Sequence, residues 1–182
     1  SGKIKIGAYS IILGRSRIGE NTILDSYVMI GYPSKKNLLR LLEADNSYID
    51  EIDKVSSGAE IGKNAIIRAK SIIYESVRIG DNLETGHNVL IRENTIIGSN
   101  VKIGTGTVID GKTIIGNNVN IQSNVYIPLL TEISDDVFIG PGAVILNDKY
   151  PPSKRLVGVK IMRGAVIGGG SVILPGVTIG EN

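Results

Sequence analysis

Counting in sixes from Ile61 lands on Ile67, Ile73 and Ile79, skips once at Thr85, and then strikes isoleucine at every sixth position from Ile91 to Ile145. Fourteen of those fifteen positions are isoleucine, and the same step runs through Ile6, Ile12, Ile18, Leu24 and Ile30 before them and Ile161, Ile167, Ile173 and Ile179 after them. A period of six fits neither the turn of an amphipathic helix, about 3.6 residues, nor the plain alternation of a half-buried strand. The chain must therefore change direction once per repeat, which makes a solenoid.

Each hexapeptide carries one large aliphatic residue, often followed by Gly and by a polar pair such as Glu-Asn, Asp-Asn or Ser-Asn. A small or β-branched residue comes next, as at Thr22, Val77, Val101, Thr107, Val119 and Val125. Gly and Asn tolerate corner conformations, while Val, Ile and Thr suit short strands. With the aliphatic and small residues turned inward, successive coils stack into ladders of parallel strands. Each buried isoleucine contributes about 1.5–3 kcal/mol, so the stack makes a core without disulfides. The pattern covers residues 6–30 and 61–182 and resembles the hexapeptide-repeat proteins. That resemblance implies an all-β fold, a left-handed parallel β-helix solenoid with three hexapeptides per coil. The period does not set the hand, and general crossover rules favour the opposite one. Residues 1–182 then form a single β-helix domain with two loop insertions.

Composition narrows the function classes. The 182 residues are 42% hydrophobic and 21% charged, as in one soluble domain. A net charge of +2, scattered Lys and Arg, and 4% aromatic residues argue against a nucleic-acid partner. With no cysteine there is neither a thiolate nucleophile nor a cysteine–zinc site. No apolar run reaches about 18 residues and no signal-peptide pattern occurs, so no membrane insertion and a cytoplasmic location are expected. A γ-type carbonic anhydrase needs two zinc-ligating histidines from each chain, and this chain has one histidine, so no metal is expected. Only Thr105-Gly106-Thr107 offers the Thr-x-Thr of an ice-binding face. The repeat is still in stride at Ile179-Gly180-Glu181-Asn182, as in a chain that continues further.

Interruptions of a solenoid map to loops on one face, often the binding face. The first, residues 31–60, opens on Tyr32-Pro33-Ser34-Lys35-Lys36 and carries Leu38, Leu39, Leu41 and Leu42 before an acidic stretch from Glu43 to Asp53. It is expected to hold a short helix with a leucine stripe that packs on the solenoid or on a neighbouring subunit. The alternative is a phosphate-gripping role for Tyr32, Lys35 and Lys36. The second, residues 146–160, is dense in polar groups around Pro151-Pro152, and the two prolines make it a defined loop.

Phe138-Ile139-Gly140-Pro141-Gly142-Ala143-Val144-Ile145-Leu146-Asn147-Asp148-Lys149-Tyr150-Pro151, followed by Lys160-Ile161-Met162-Arg163-Gly164-Ala165-Val166-Ile167-Gly168-Gly169-Gly170, resembles the acyltransferases that acetylate amino groups of nucleotide-linked sugars. The resemblance implies acetyl-CoA as co-substrate, a role for Asn147 in orienting the sugar amine, and Asp148, Lys149 and Tyr150 against the sugar nucleotide. It also implies a coenzyme A groove over Gly140, Ala165, Gly168 and Gly170, with Lys160, Arg163, Lys154 and Arg155 near the phosphates. That groove lies between subunits, which implies a homotrimer with closed symmetry, and the setting is glycan or polysaccharide biosynthesis.

A neutral amine is already a nucleophile, so positioning can carry most of the rate, whereas a hydroxyl must lose a proton as it attacks and needs a base. The second loop contains no histidine. His87, in Gly86-His87-Asn88, resembles the motif that carries the general base in other hexapeptide acyltransferases. O-acetylation of a sugar hydroxyl with His87 as base is therefore the alternative enzyme, and a non-catalytic structural or assembly domain is the third reading. His87 and Asn147 are three coils apart, roughly 14 Å at strand spacing, so one reacting atom cannot engage both.

Overall fold

The fold is described from a computed structural model over residues 2–43 and 47–182. Among these residues, 24 short strands form three parallel eight-stranded sheets, visited in strict rotation. Face A runs from Lys5–Ile6 to Val166–Ile167, face B from Ile11–Ile12 to Val172–Ile173, and face C from Arg17–Ile18 to Thr178–Ile179. Eight coils result, and the architecture is the left-handed parallel β-helix.

Nearly every strand is two residues long, the first facing out and the second in. Ile91 sits between Ile73 and Ile109 on face B, and Ile97 between Ile79 and Ile115 on face C. Identical side chains thus stack along the axis and leave a core of isoleucine with small residues at the corners. Thr85, which breaks the isoleucine column, also points inward, and its hydroxyl accepts the Arg68 backbone N–H at 3.0 Å. Its polar atom is satisfied, so the core accommodates the exception.

The corner between faces C and A shows why Asn recurs there. Asn64, Asn82, Asn100 and Asn118 all take positive φ, between 57° and 61°. Asn adopts this left-handed conformation more readily than other residues that carry a Cβ. Each amide also donates to the next coil: Asn64 to Asn82 at 3.0 Å, Asn82 to Asn100 at 2.8 Å, Asn100 to Asn118 at 3.1 Å and Asn118 to Asp136 at 3.0 Å. Two effects are superposed, and substitution separates them. Asn100→Gly keeps the backbone conformation and loses the ladder, whereas Asn100→Ala loses both. Asn100→Ala is expected to cost about 1–2 kcal/mol more than Asn100→Gly in denaturant unfolding, the cost of a β-carbon at positive φ. Equal midpoints would show that the ladder alone matters.

Both insertions leave face B and rejoin at face C, so they share the B–C edge, in the second and seventh coils. The first follows a bulge at Gly31 in the strand Met29–Tyr32 and rejoins at Glu60–Ile61. It contains α1 (Lys35–Leu39), a 3-10 turn (Arg40–Glu43) and α2 (Tyr48–Val55). Of the acidic stretch, residues 44–46 lie outside the described residues. The helix is present, but Leu39 and Leu42 face solvent, 52% and 83% exposed. Leu38 and Leu41 are half-buried, and the apolar cleft over the first two coils of face B is lined by Tyr48 and Ile52 of α2 with Ile11, Leu13, Met29 and Tyr32.

Glu75, only 3% exposed, fastens this insertion at both ends. Its carboxylate accepts the backbone N–H groups of Ser34 and Ser57 and the Asn37 amide, each at 2.8 Å. Burial pushes its pKa up, but the hydrogen bonds from Ser34, Ser57 and Asn37 outweigh that and hold it below the usual carboxylate value. A pKa depressed by folding stabilises above the unfolded value, and the effect is lost as pH falls through the folded one. Amide exchange in residues 34–57 is therefore expected to rise as pH drops below about 4.5, after correction for intrinsic rates. In Glu75→Gln the protection should be weaker at neutral pH and flat with pH. The same pH response in that variant would remove Glu75 as the fastener.

Candidate functional site

The loop after Val144–Ile145 closes on itself. Asn147 accepts the Val157 backbone N–H at 2.8 Å through its own carbonyl. The Asp148 carboxylate accepts the Ser153 N–H at 2.8 Å and the Tyr150 N–H at 3.2 Å. Hydrogen bonding from Ser153 holds the Asp148 carboxyl below its ordinary pKa. Asp148 thus staples the loop, and its charge is directed at backbone donors. The Lys149 ammonium lies 5.6 Å from the centre of the Tyr150 ring, and both side chains are exposed. Gly158 is where the loop rejoins the coil, and a Cβ there would meet the Leu130 carbonyl. Only glycine permits that approach.

Asn147 is half-buried at the foot of the loop. Its Nδ2 donates to the Leu129 carbonyl at 3.2 Å, one coil away. The amide is thereby fixed, and its Oδ1, an acceptor, takes no hydrogen bond among the described residues. Lys154 and Arg155 extend from the same loop, exposed and without a carboxylate partner among the described residues.

The remaining candidates lie on other edges. Gly140, Gly168 and Gly170 occupy the A–B edge in the last two coils, where Gly168, Gly169 and Gly170 leave three consecutive residues of exposed bare backbone. Lys160 is on face C, paired with Glu132 at 3.0 Å, and Arg163 is at the C–A edge, paired with Asp135 at 3.0 Å. Ala165 also lies at the C–A edge with its methyl group in the core, 2% exposed, so it presents backbone only. One chain therefore brings Asn147, Asp148, Lys149 and Tyr150 together on the B–C edge, with Lys160 on face C where the loop ends, but places Gly140, Gly168 and Gly170 on the A–B edge and Arg163 and Ala165 on the C–A edge.

His87 is on the A–B edge three coils from Asn147, as the count of coils required. Its backbone is engaged, N–H to the Thr105 hydroxyl at 3.2 Å and carbonyl accepting Gly106 N–H at 2.9 Å. The ring is exposed, with no carboxylate or carbonyl orienting it among the described residues. Beside it, Arg68, Glu84, Lys102, Asn120 and Gln122 line a shallow polar depression.

The sequence reading missed the character of face B. Its outward strand position is apolar in all eight coils, from Ile11 through Ile72, Leu90, Val108, Tyr126 and Val144 to Val172; face A has four such positions and face C two. The residue after the inward one, commonly Gly on faces A and C, is bulky on face B at Leu13, Tyr74, Pro128, Leu146 and Leu174, and beyond the Gly31 bulge Tyr32 pairs with Tyr74. The charged pair on this face, Arg92 and Asp110, is self-neutralised at 2.8 Å. The signal was present in the sequence, but at every eighteenth residue rather than every sixth.

Repeat, coil and corner chemistry together make this a hexapeptide-repeat left-handed β-helix protein. Among solved structures it is similar to LpxA, a UDP-N-acetylglucosamine acyltransferase from Bacteroides fragilis 9343, at 25% identity and a TM-score of 0.66, over 81% of this chain and 55% of that one. The chain thus spans about half of that acyltransferase. It also aligns with the UDP-N-acetylglucosamine O-acyltransferase (LpxA) of Moraxella catarrhalis RH4, at 16% identity and a TM-score of 0.28, over 93% of this chain and 65% of that one. The GMPPB C-terminal domain family matches residues 44–131. A comparison with curated proteins found no match. Among the described residues no helix is long and apolar enough to cross a membrane, and no cluster of His, Cys, Asp and Glu could hold a metal ion.

Proposed function

We propose that this protein is an acyltransferase that moves an acetyl group from acetyl-CoA to the amino group of a nucleotide-linked sugar, acting in the cytoplasm in glycan or polysaccharide biosynthesis. The carrying observation is Asn147: an amide locked by the Leu129 carbonyl, its Oδ1 without a hydrogen bond among the described residues, on a loop that also offers Lys154 and Arg155 to phosphates. An amine N–H donated to that Oδ1 holds the nitrogen with its lone pair toward the thioester carbonyl. The C–N bond forms, the carbonyl pair becomes an oxyanion met by backbone N–H groups, and the C–S bond then breaks as the oxyanion collapses, the proton shed by the amine passing to the departing sulfur, which leaves as the thiol of coenzyme A. The likeness to a UDP-N-acetylglucosamine acyltransferase supports a nucleotide-linked sugar as acceptor and does not choose between its amino and hydroxyl groups.

The active species is a homotrimer with the donor lying between subunits. Support for this comes from the edges: the bare glycine edge and the Asn147 loop flank the same apolar face B. A threefold axis on the side of face B sets the A–B edge of one copy beside the B–C edge of the next at equal height. Gly140 and Gly142, in the same coil as Asn147, and Gly168–Gly170 in the next then lie across the boundary from it, while Arg163 and Ala165 lie on the C–A edge.

The polar depression beside His87 favours a second reading, O-acetylation of a sugar hydroxyl with His87 as base. Thiol release from acetyl-CoA, followed against UDP- and dTDP-linked sugars bearing amino or hydroxyl acceptors, separates the readings. Release with amino sugars alone supports the first. Release with hydroxyl acceptors that is abolished by His87→Gln supports the second, and silence with no acetyl-CoA binding removes both and leaves a structural domain.

A further inference from the structure

Face C carries one outward side chain per coil. Coils one to three present Arg17, Glu60 and Arg78, coils four and five Ile96 and Ile114, and coils six to eight Glu132, Lys160 and Thr178. All are exposed, Ile96 at 47% and Ile114 at 52%. The residue after the inward one is glycine in six of the eight coils, as at Gly62, Gly80, Gly98 and Gly116, so little rises beside the strip on its C–A flank. Face C is a low strip with an apolar centre and charged ends.

The signs at the two ends are complementary about that centre. A second strip turned end for end, about a twofold between coils four and five, sets Arg78 opposite Glu132, Glu60 opposite Lys160, Arg17 opposite Thr178 and Ile96 opposite Ile114. A slip of one coil in one direction sets Arg78 on Lys160, and a slip in the other sets Arg17 on Lys160 and Glu60 on Glu132. Strips laid parallel set every charge on its own copy. Like charges across a contact penalise each of those arrangements, so one orientation and one register remain. Within the chain Glu60 is 3.9 Å from Arg17 and 4.0 Å from Arg78, and Lys160 is 3.0 Å from Glu132. Each of these exposed groups has further donors or acceptors for a partner.

We propose that face C is a self-recognition surface on which a second copy of the chain docks antiparallel, with Ile96 and Ile114 at the centre. The contact is isologous. It does not depend on the threefold put forward above, which lies on the side of face B and leaves face C uncovered. The twofold lies in the plane of face C and misses that threefold, so the contact joins one assembly to another and closes no larger ring. Eight coils at about 4.8 Å and a strip about 15 Å wide bury roughly 500 Å² per copy, about 1,000 Å² in all, the range of weak and reversible association. Because coil two meets coil seven, the first insertion of one copy comes beside the loop after Ile145 of the other, segments that lie five coils apart within one chain.

Charge reversal tests the pairing. Arg78→Glu leaves only carboxylates at the Arg78–Glu132 contacts, and Glu132→Arg leaves only guanidinium groups there. In sedimentation velocity over a range of concentrations, the wild type is expected to grow beyond its basic unit. Each single variant is expected to stay at that unit, its dissociation constant raised at least tenfold. An equimolar mixture of the two variants is expected to associate as the wild type does, because the acidic strip of one meets the basic strip of the other. Circular dichroism checks the fold of each variant, and Ile96→Ser, at an exposed apolar position, is expected to weaken association independently of charge. A mixture that stays at the basic unit overturns the proposal, as does a folded single variant or Ile96→Ser that associates like the wild type, or a wild type whose size is constant with concentration. The basic unit reports the threefold separately: one chain rather than three removes that assembly and leaves the pairing through face C standing.

Discussion

Asn147→Ala is expected to lower kcat for thiol release with an amino-sugar nucleotide by about 10²-fold or more, the cost of a lost positioning contact in acyl transfer. The KM for acetyl-CoA should hardly move, because the amide faces the acceptor. The fold should hold as well: Asn147 is half-buried, its side chain donates a single hydrogen bond, and the loop is closed independently by its backbone and by Asp148. His87→Gln should retain most of the wild-type rate, since its ring is exposed three coils from the loop. The reverse ranking, activity lost in His87→Gln and kept in Asn147→Ala, would sink the N-acylation reading and move the chemistry to the A–B edge. Circular dichroism and sedimentation of both variants separate a chemical loss from a structural one.

The second large effect belongs to the core. Ile109 is fully buried at the middle of face B, in register with Ile91 and Ile127. Ile109→Ala should cost about 2–5 kcal/mol, transfer plus cavity, because the stacked neighbours are held in place by strand hydrogen bonds and cannot collapse into the space. In a solenoid each coil contacts only its neighbours, so such a lesion in the middle divides the stack and can uncouple its ends. Urea denaturation followed by amide exchange should show the loss centred on coils four to six. A change below about 1 kcal/mol would mean that the column is loosely packed rather than close-packed.

The solenoid could be read from the chain because its determinants are local. Isoleucine at every sixth position fixes which side chain turns inward, and Gly or Asn at the corners fixes where the chain bends, so strands, coil count and core follow without knowing which coils touch. The loop after Ile145 was legible for the same reason, as a break in a rhythm. The leucines of the first insertion divide: Leu38 and Leu41 are half-buried while Leu39 and Leu42 stay exposed, and α2 lines the cleft over face B. A leucine stripe specifies an apolar side and is silent on what will cover it.

What only the tertiary structure decided is the assignment of residues to edges. Gly168, Arg163 and Asn147 all fall within one stretch of sequence, but they point from three different corners, because each hexapeptide turns the chain by a third of a revolution. Outward residues therefore share a face only when they recur every third repeat. The two insertions also interrupt the count by amounts that carry no multiple of six. A period of six is set by the conformational preferences of neighbouring residues, and so the sequence determined the solenoid by itself. The continuity of face B and the separation of Arg163 and the glycine edge from the Asn147 loop depend on accumulated phase around the axis, which exists only once the coils are closed and stacked.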